Sequence, residues 1–453
     1  MKLRDYQTEA VGAVERAWGE GRRAPLLVLP TGAGKTICFA HLTESLCARG
    51  ARVLIVVHRR ELLHQASEKL RTLGCAHDLI TPKIDYNGHP VAVGSVQTIV
   101  KRDGLFFDYV IVDEGHHAVA GSWGKCLQMF KAARVLGVTA TPSRLDGRGL
   151  GDVYDHLILG PSVRDLIARG HLVRPQVYAY PVSDALATIG RRGGEYDLRT
   201  YAATELERPQ ITGSALEHYR KLSPNEPAIA FCASVEHALA VAREFTAAGF
   251  PFAAVHGQMS DVERARVFAD YAEGRLIGLA SVDLISEGTD LPFATTAILL
   301  RPTTSTALYL QQVGRVLRPA AGKTRALVLD HVGNSLEHGL PDDDRAWSLG
   351  GLKRASEARL PIRQCRTCYR VFESGQRCPW CNSVNTAPRE RKLTEGAGDL
   401  VEVTAADIAR FKLEKREAYR RAGSYAECLA LTKKFGDKPG YAFQYWFASR
   451  GRR

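Results

Sequence analysis

This sequence lacks long apolar runs. No stretch of its 453 residues is long and apolar enough to span a bilayer as a helix. The opening residues, Met1-Lys2-Leu3-Arg4-Asp5-Tyr6, have no apolar core of the kind a signal peptide needs. A cytoplasmic chain without a membrane partner is the expectation. A secretory disulfide framework is also missing. Of ten cysteines, Cys38, Cys47, Cys75, Cys126, Cys232 and Cys428 are scattered, mostly in apolar or helical runs. In a reducing compartment they read as small core residues. The other four cluster between 365 and 381. No nuclease constellation is evident, so cutting would need a partner protein.

What is present is an ordinary globular composition, 45% hydrophobic and 24% charged. The length suits roughly two to four domains. The net charge of +12 and pI of about 9.2 leave readings open: a polyanionic partner such as nucleic acid or an acidic membrane surface, or general solubilisation.

Short, continuously apolar runs alternate with helical patterns over residues 1–160. Leu26–Pro30, Val53–Val57, Val91–Gly94, Tyr109–Val112 and Val135–Thr139 read as strands buried on both faces, as in a parallel sheet. The pattern resumes over 213–348, at Ala228–Cys232, Phe252–His256, Leu276–Ala280, Thr296–Leu300 and Ala326–Asp330. The fold class is therefore α/β, with two parallel-sheet domains in tandem. Between them, 161–212 reads as a linker or insertion containing the polar run Gly190–Glu195. A cysteine-rich element at 360–385 and a basic, mostly helical tail at 386–453 follow.

Pro30-Thr31-Gly32-Ala33-Gly34-Lys35-Thr36 lies between a strand and a helical pattern, the context of a phosphate-binding loop. Gly32 and Gly34 let successive N–H groups face a polyphosphate, beside the positive helix N-terminus. Lys35 would hold the terminal phosphates of ATP, and Thr36 would offer its hydroxyl to Mg²⁺. Leu29 stands where the strict pattern has its first glycine, so the match is to the shorter form. About 80 residues on, the strand Tyr109–Val112 runs into Asp113 and Glu114. One carboxylate would anchor Mg²⁺ (Asp113); the other would orient and deprotonate the attacking water (Glu114). His116 either couples this site to the second domain or caps a loop, and His117 reads as a loop residue.

At this point the sequence resembles the superfamily 2 helicases, over about residues 1–335. Gln7 looks like the adenine-reading element, and Asp113-Glu114-Gly115-His116 looks like the D-E-x-H box. Thr139-Ala140-Thr141-Pro142 resembles the motif linking hydrolysis to strand movement. Ser286–Asp290 resembles the fifth motif, with Gly288 and Asp290 toward the nucleotide. Gln311–Arg318 fits Q-x-x-G-R-x-x-R, the sixth. The resemblance implies RecA-like domains, coupling roles for His116, Thr139, Thr141 and Gln311, and charge neutralisation by Arg315 and Arg318. The run from Arg301 to Asn334 is similar to the RadD-type bacterial DNA-repair helicases and related phage helicases. That implies DNA as the nucleic acid and repair or replication proteins as partners.

Strand contacts are expected from Arg59, Arg60, Ser95 and Thr98 in the first domain, and from Ser234 and Thr289 in the second. Such groups bind phosphates without reading sequence. Each hydroxyl is equally a candidate helix cap. Cys365, Cys368, Cys378 and Cys381 form C-x₂-C-x₉-C-x₂-C, the spacing of a closed, structural Zn²⁺ ribbon. The arginines around it are either a DNA-contacting knob or a solvated face. In the tail, Tyr441–Phe447 reads as docking core in preference to a stacking surface. Three functions stay open: an ATP-driven helicase or translocase, a duplex translocase subunit that does not separate strands, and an adaptor with a silent ATPase.

Overall fold

The structure is a computed structural model. It describes residues 2–58, 60–118, 121–144, 149–179, 191–192, 195–198, 201, 210–285, 291–350, 362–365, 370–373, 377–383, 405–435, 442 and 445–446. The chain divides into two units, Met1–Thr386 and Ala387–Arg453.

The first unit holds two parallel sheets. Strands β1 (Pro25–Val28), β2 (Val53–Val57), β3 (Asp78–Ile80), β4 (Val91–Ser95), β5 (Tyr109–Asp113), β6 (Arg134–Thr139) and β7 (His156–Leu159) form the first, in the order β3-β4-β2-β5-β6-β1-β7. After β8 (Pro175–Ala179), a two-stranded ribbon of β9 (Arg191–Arg192) and β10 (Glu195–Tyr196) precedes β11 (Ala228–Phe231), β12 (Phe252–Val255), β13 (Gly278–Ser281), β14 (Thr296–Leu299) and β15 (Ala326–Asp330). The second sheet runs β12-β13-β11-β14-β15-β8, every pairing parallel.

Alternation along each strand sends side chains to two apolar layers. Leu26, Val28, Leu54, Val56, Val110 and Val112 pack on one face of the first sheet, and Leu27, Ile55, Val57 and Ile111 on the other. Ile229, Phe231, Leu279 and Leu299 of the second sheet join that latter layer, so one cluster runs through both lobes. The expected fold is thus present: two α/β lobes with parallel sheets covered on both faces.

The expected linker at 161–212 holds more structure than a linker. Within it β8 adds an edge strand to the second sheet, opening on Pro175, whose missing N–H is tolerated at a strand's first residue. Crossing to the second lobe, Leu172 is buried and the Val173 N–H donates to the Leu317 carbonyl at 2.8 Å. The chain later comes back. Beyond β15 it returns to the first lobe, where the Leu349 carbonyl accepts from the Leu150 and Gly151 N–H groups at 2.8 and 3.0 Å. A Cβ on Gly149 would collide with that carbonyl. An inter-lobe cavity of about 160 Å³ lies beside this strap, lined by Thr31, Leu159, Gly314, Asp344 and Trp347, among others.

The cysteine-rich hairpin, β16 (Ile362–Gln364) with β17 (Val371–Glu373), docks on β8. Arg370 donates to the Tyr178 hydroxyl at 3.0 Å, and its guanidinium lies 5.6 Å from the Tyr178 ring and 5.5 Å from the Trp380 ring. In the second unit, helices Ala405–Arg421 and Tyr425–Phe435 bury Tyr419, Ala422, Cys428 and Ala442, with Tyr445 and Trp446 packed against them. Among the described residues, no helix is long and apolar enough to cross a membrane.

Two stability effects follow. A methyl on Gly137, in the middle of β6, would strike the buried Tyr154 ring. Gly137→Ala is expected to lower the unfolding free energy by about 1–3 kcal/mol, read from the urea midpoint. The second concerns acid. Burial holds His237 down to about 4; burial, and then the neighbouring His218, hold His331 down to about 3. Both fold neutral, so their contribution is complete above the ordinary histidine range and fades as pH falls below it. Each should steepen acid destabilisation by about 1.4 kcal/mol per pH unit, from about 6.5 toward its folded value. His331→Gln should flatten urea midpoints plotted against pH over that window; an unchanged slope would contradict this.

Candidate functional site

β1 delivers the chain to Pro30 at the carboxyl edge of the first sheet. Gly32 and Gly34 sit at φ 88° and 83°, a left-handed conformation that glycine adopts without a Cβ penalty, and Gly34 caps the helix Lys35–Ala48. The loop is braced from behind. The Tyr6 hydroxyl and Gln7 Nε2 both donate to the Ala33 carbonyl, at 2.9 and 3.0 Å. Gln7 Oε1 accepts from the Arg4 N–H at 2.9 Å, so this carboxamide is held at both ends. The His171 ring lies 5.3 Å from that of Tyr6.

Two strands away, β5 ends in Asp113, and Asp113 Oδ1 accepts from the Glu114 N–H at 3.0 Å. Glu114 has φ 51°, a left-handed backbone uncommon for a residue with a side chain. The short turn Gly115–His117 then carries His116 back toward the carboxylate. Its Nδ1 lies 3.4 Å from Glu114 Oε2 and 3.0 Å from Thr139 Oγ1, and Thr139 Oγ1 bonds the Thr141 backbone N–H and carbonyl. Asp113, Glu114, His116, Thr139 and Thr141 are all buried.

The second lobe closes the site. Helix Thr306–Gly314 carries the buried Gln311 and ends at the buried Arg315. A Cβ on Gly314 would collide with Thr31, and one on Gly32 would lie 3.1 Å from Arg318 Cγ. Gly314 and Arg318 therefore rest directly on the loop at 30–34. Lys35 feels them all. Although part of its side chain meets solvent, crowding by protein pushes its ammonium down from the ordinary value. Glu114 and Asp113 pull it back up; Arg315 and Arg318 push it down. A site of two carboxylates and three cations, built from both lobes, can bind a metal-bound polyphosphate and stabilise charge on a transferring phosphoryl group.

Not every expected residue joins this cluster. Gly288, Thr289, Asp290, Arg59 and Cys368 lie outside the described residues, as does the side chain of Arg60. Ser234 caps helix Val235–Ala247, its Oγ accepting from the His237 N–H at 3.1 Å. Ser95 Oγ and Thr98 Oγ1 bond each other at 2.9 Å. Sequence reasoning missed two imidazoles. His117 packs between His116 and His58, with centroids 4.2 and 4.4 Å apart and the rings tilted by 39° and 45°. Only the adjacency of His116 and His117 hinted at this; the partner from β2 is distant in sequence.

The sulfurs of Cys365, Cys378 and Cys381 lie within 4.8 Å of one another, with Cys365 and Cys378 buried. Such converging thiols, backed by Ser383 Oγ at 3.1 Å from Cys365 Sγ, fit a soft divalent metal.

Residues 1–144 match the family model "Type III restriction enzyme, res subunit", and 212–320 match "Helicase conserved C-terminal domain". The 51.5 kDa protein of Lactococcus phage (isolate 7-9) is 32% identical, across 78% of this chain and 76% of its own. The chain belongs to the superfamily 2 helicases. It is accordingly an ATP-dependent helicase. The mitochondrial ATP-dependent helicase irc3 of Schizosaccharomyces pombe is 32% identical over 73% of the chain, which spans only 57% of that longer relative. The DNA 3'-5' translocase XPB2 of Sulfurisphaera tokodaii is 26% identical, over 70% of this chain and 79% of its own. Among solved structures, the fragment of an HsdR subunit of a type I restriction enzyme from Vibrio vulnificus YJ016 shares the fold, with TM-score 0.60 and 21% identity over 74% of this chain and 65% of that one.

The thiol cluster yields a direct test. Protein purified without chelator should carry about one equivalent of zinc, and Cys365→Ser should lose it. Elemental analysis finding no zinc in the unaltered protein would refute the assignment.

Proposed function

We propose that this helicase is a DNA motor that hydrolyses ATP between its two lobes. The observation carrying this reading is the convergence of Lys35, Asp113 and Glu114 from one lobe with Arg315 and Arg318 from the other. Lys35 and the loop amides of Thr31, Gly32, Ala33 and Gly34 bind the phosphates, braced by Gln7. Thr36 and Asp113 are the ligands for Mg²⁺, which supplies charge neutralisation when bound. Glu114 orients the attacking water and takes its proton. Arg315 and Arg318 meet the developing charge only when the lobes are together, which makes hydrolysis a property of the closed form. His116, Thr139, Thr141 and Gln311 relay that state, and the fifth-motif residues Gly288 and Asp290 complete the nucleotide side.

DNA as substrate is supported by the basic net charge, by the resemblance of 301–334 to RadD-type repair helicases, and by the relative named as a DNA translocase. Arg59, Arg60, Ser95, Thr98, Ser234 and Thr289 are the proposed strand contacts, giving binding that depends on salt more than on sequence. Zn²⁺ held by Cys365, Cys368, Cys378 and Cys381 has a structural role in the hairpin docked on β8. The setting is cytoplasmic, among repair or replication proteins. A second reading, duplex translocation within a restriction or processing complex, is favoured by the description of the family model matching residues 1–144.

Lys35→Ala should cut DNA-stimulated hydrolysis by about 10²-fold or more, and Arg318→Ala by about 10³- to 10⁵-fold. Phosphate release by Lys35→Ala at the unaltered rate would remove the site assignment. A forked duplex then separates the two readings: strand displacement favours unwinding, and hydrolysis without displacement favours translocation.

A further inference from the structure

Four neighbouring strands of the first sheet end on one line of contacts. Gln97, just after β4, donates from Nε2 to the His58 carbonyl at 3.5 Å. His58 follows β2, and its ring meets that of His117 at 4.4 Å between centroids, tilted by 45°. His117 meets His116 at 4.2 Å and 39°. His116 in turn touches Glu114, and bonds Thr139 at the end of β6. Because β4, β2, β5 and β6 are adjacent in the sheet, the line crosses their carboxyl ends in order. One end lies in the loops proposed to grip the strand. The other is the carboxylate proposed to activate water.

Glu114 is placed to respond. Its side chain is buried, and among the described residues its Oε2 makes no hydrogen bond. The group that meets it is His116, at 3.4 Å. Its left-handed backbone is a second source of leverage, since such a conformation persists only while its surroundings impose it. Rings packed at these separations shift together, because a close-packed layer passes a displacement on and cannot absorb it. A push on His58 therefore arrives, through two ring faces, at the side chain beside the catalytic oxygen.

We propose that His58 and His117 are positioning residues through which a bound nucleic-acid strand sets Glu114 for hydrolysis. The stack carries the stimulation, and strand affinity resides elsewhere. This inference rests on the reading of Glu114 as the water-activating base.

The test uses the full chain, ATP and a single-stranded oligothymidylate. His117→Ala should keep its hydrolysis rate without oligonucleotide and its oligonucleotide affinity. Its rate at saturating oligonucleotide should fall by about 10- to 100-fold, the usual effect of misplacing a catalytic group by an ångström or so. His117→Phe keeps a flat ring and should recover most of the stimulation. His117→Leu fills the space without a ring and should not; it also answers the question if the alanine variant unfolds. Full stimulation in both the Ala and Leu variants overturns the proposal. So does a parallel loss of both rates, a loss explained by weaker oligonucleotide binding, or recovery by Leu as complete as by Phe. Lys35→Ala is the separate control. Normal hydrolysis there overturns the ATPase reading itself, whereas its loss there beside intact stimulation in His117→Ala overturns the stack alone.

Discussion

Lys35, Arg315 and Arg318 bring like charges from two lobes into one crevice, beside Asp113 and Glu114. Such a crowd repels itself, and burial strengthens the repulsion by stripping away water. Burial is the first cause of the depressed Lys35 ammonium; Glu114 and Asp113 pull it back up, and Arg315 and Arg318 push it further down. A polyphosphate reverses the balance, since one polyanion can satisfy all three cations at once. In the proposed cycle, lobe closure and nucleotide binding would be the same electrostatic event seen from two sides: the bound anion would hold the lobes together, and splitting it would relax the hold.

The rest of the first unit makes this event consequential. Both sheets are packed on two faces, and one apolar cluster runs through both lobes. Interiors of that density move as bodies. Lys35, Glu114, Thr139 and His58 all sit at the carboxyl ends of the strands, at or just beyond the edge of those packed layers. The left-handed Glu114 backbone and the imidazole line belong to that edge, above the paired registers of β1, β5 and β6.

Much of this was legible in the residues. Val53–Val57 and Ala326–Asp330 coincide with the observed strands, because continuous apolar runs of that length have few other solutions in an α/β chain. The strands that escaped notice lack that signal. Asp78–Ile80 is three residues long, the edge strand His156–Leu159 is only partly buried, and Pro175–Ala179 opens on a proline. Residues adjacent in sequence, as in Gly34-Lys35-Thr36 or Asp113-Glu114, stay adjacent in the fold and lie at or just beyond the carboxyl ends of β1 and β5 in the first sheet. Contacts between distant residues were not legible in this way. Nothing in the local sequence sets His58 against His117, or Arg370 between Tyr178 and Trp380. Hydroxyls were ambiguous for a different reason: the same serine chemistry caps a helix or binds a phosphate, and Ser234 is seen capping.

The return of the chain at Leu349 has a mechanical meaning. The second lobe leaves the first near Leu172 and is fastened to it again by the two hydrogen bonds at Leu349. Two attachments restrict how one lobe can turn against the other more than a single crossing would, and favour rotation about the line joining them over free separation. A side chain at position 149 would collide with the Leu349 carbonyl, so the glycine there leaves room for the second attachment.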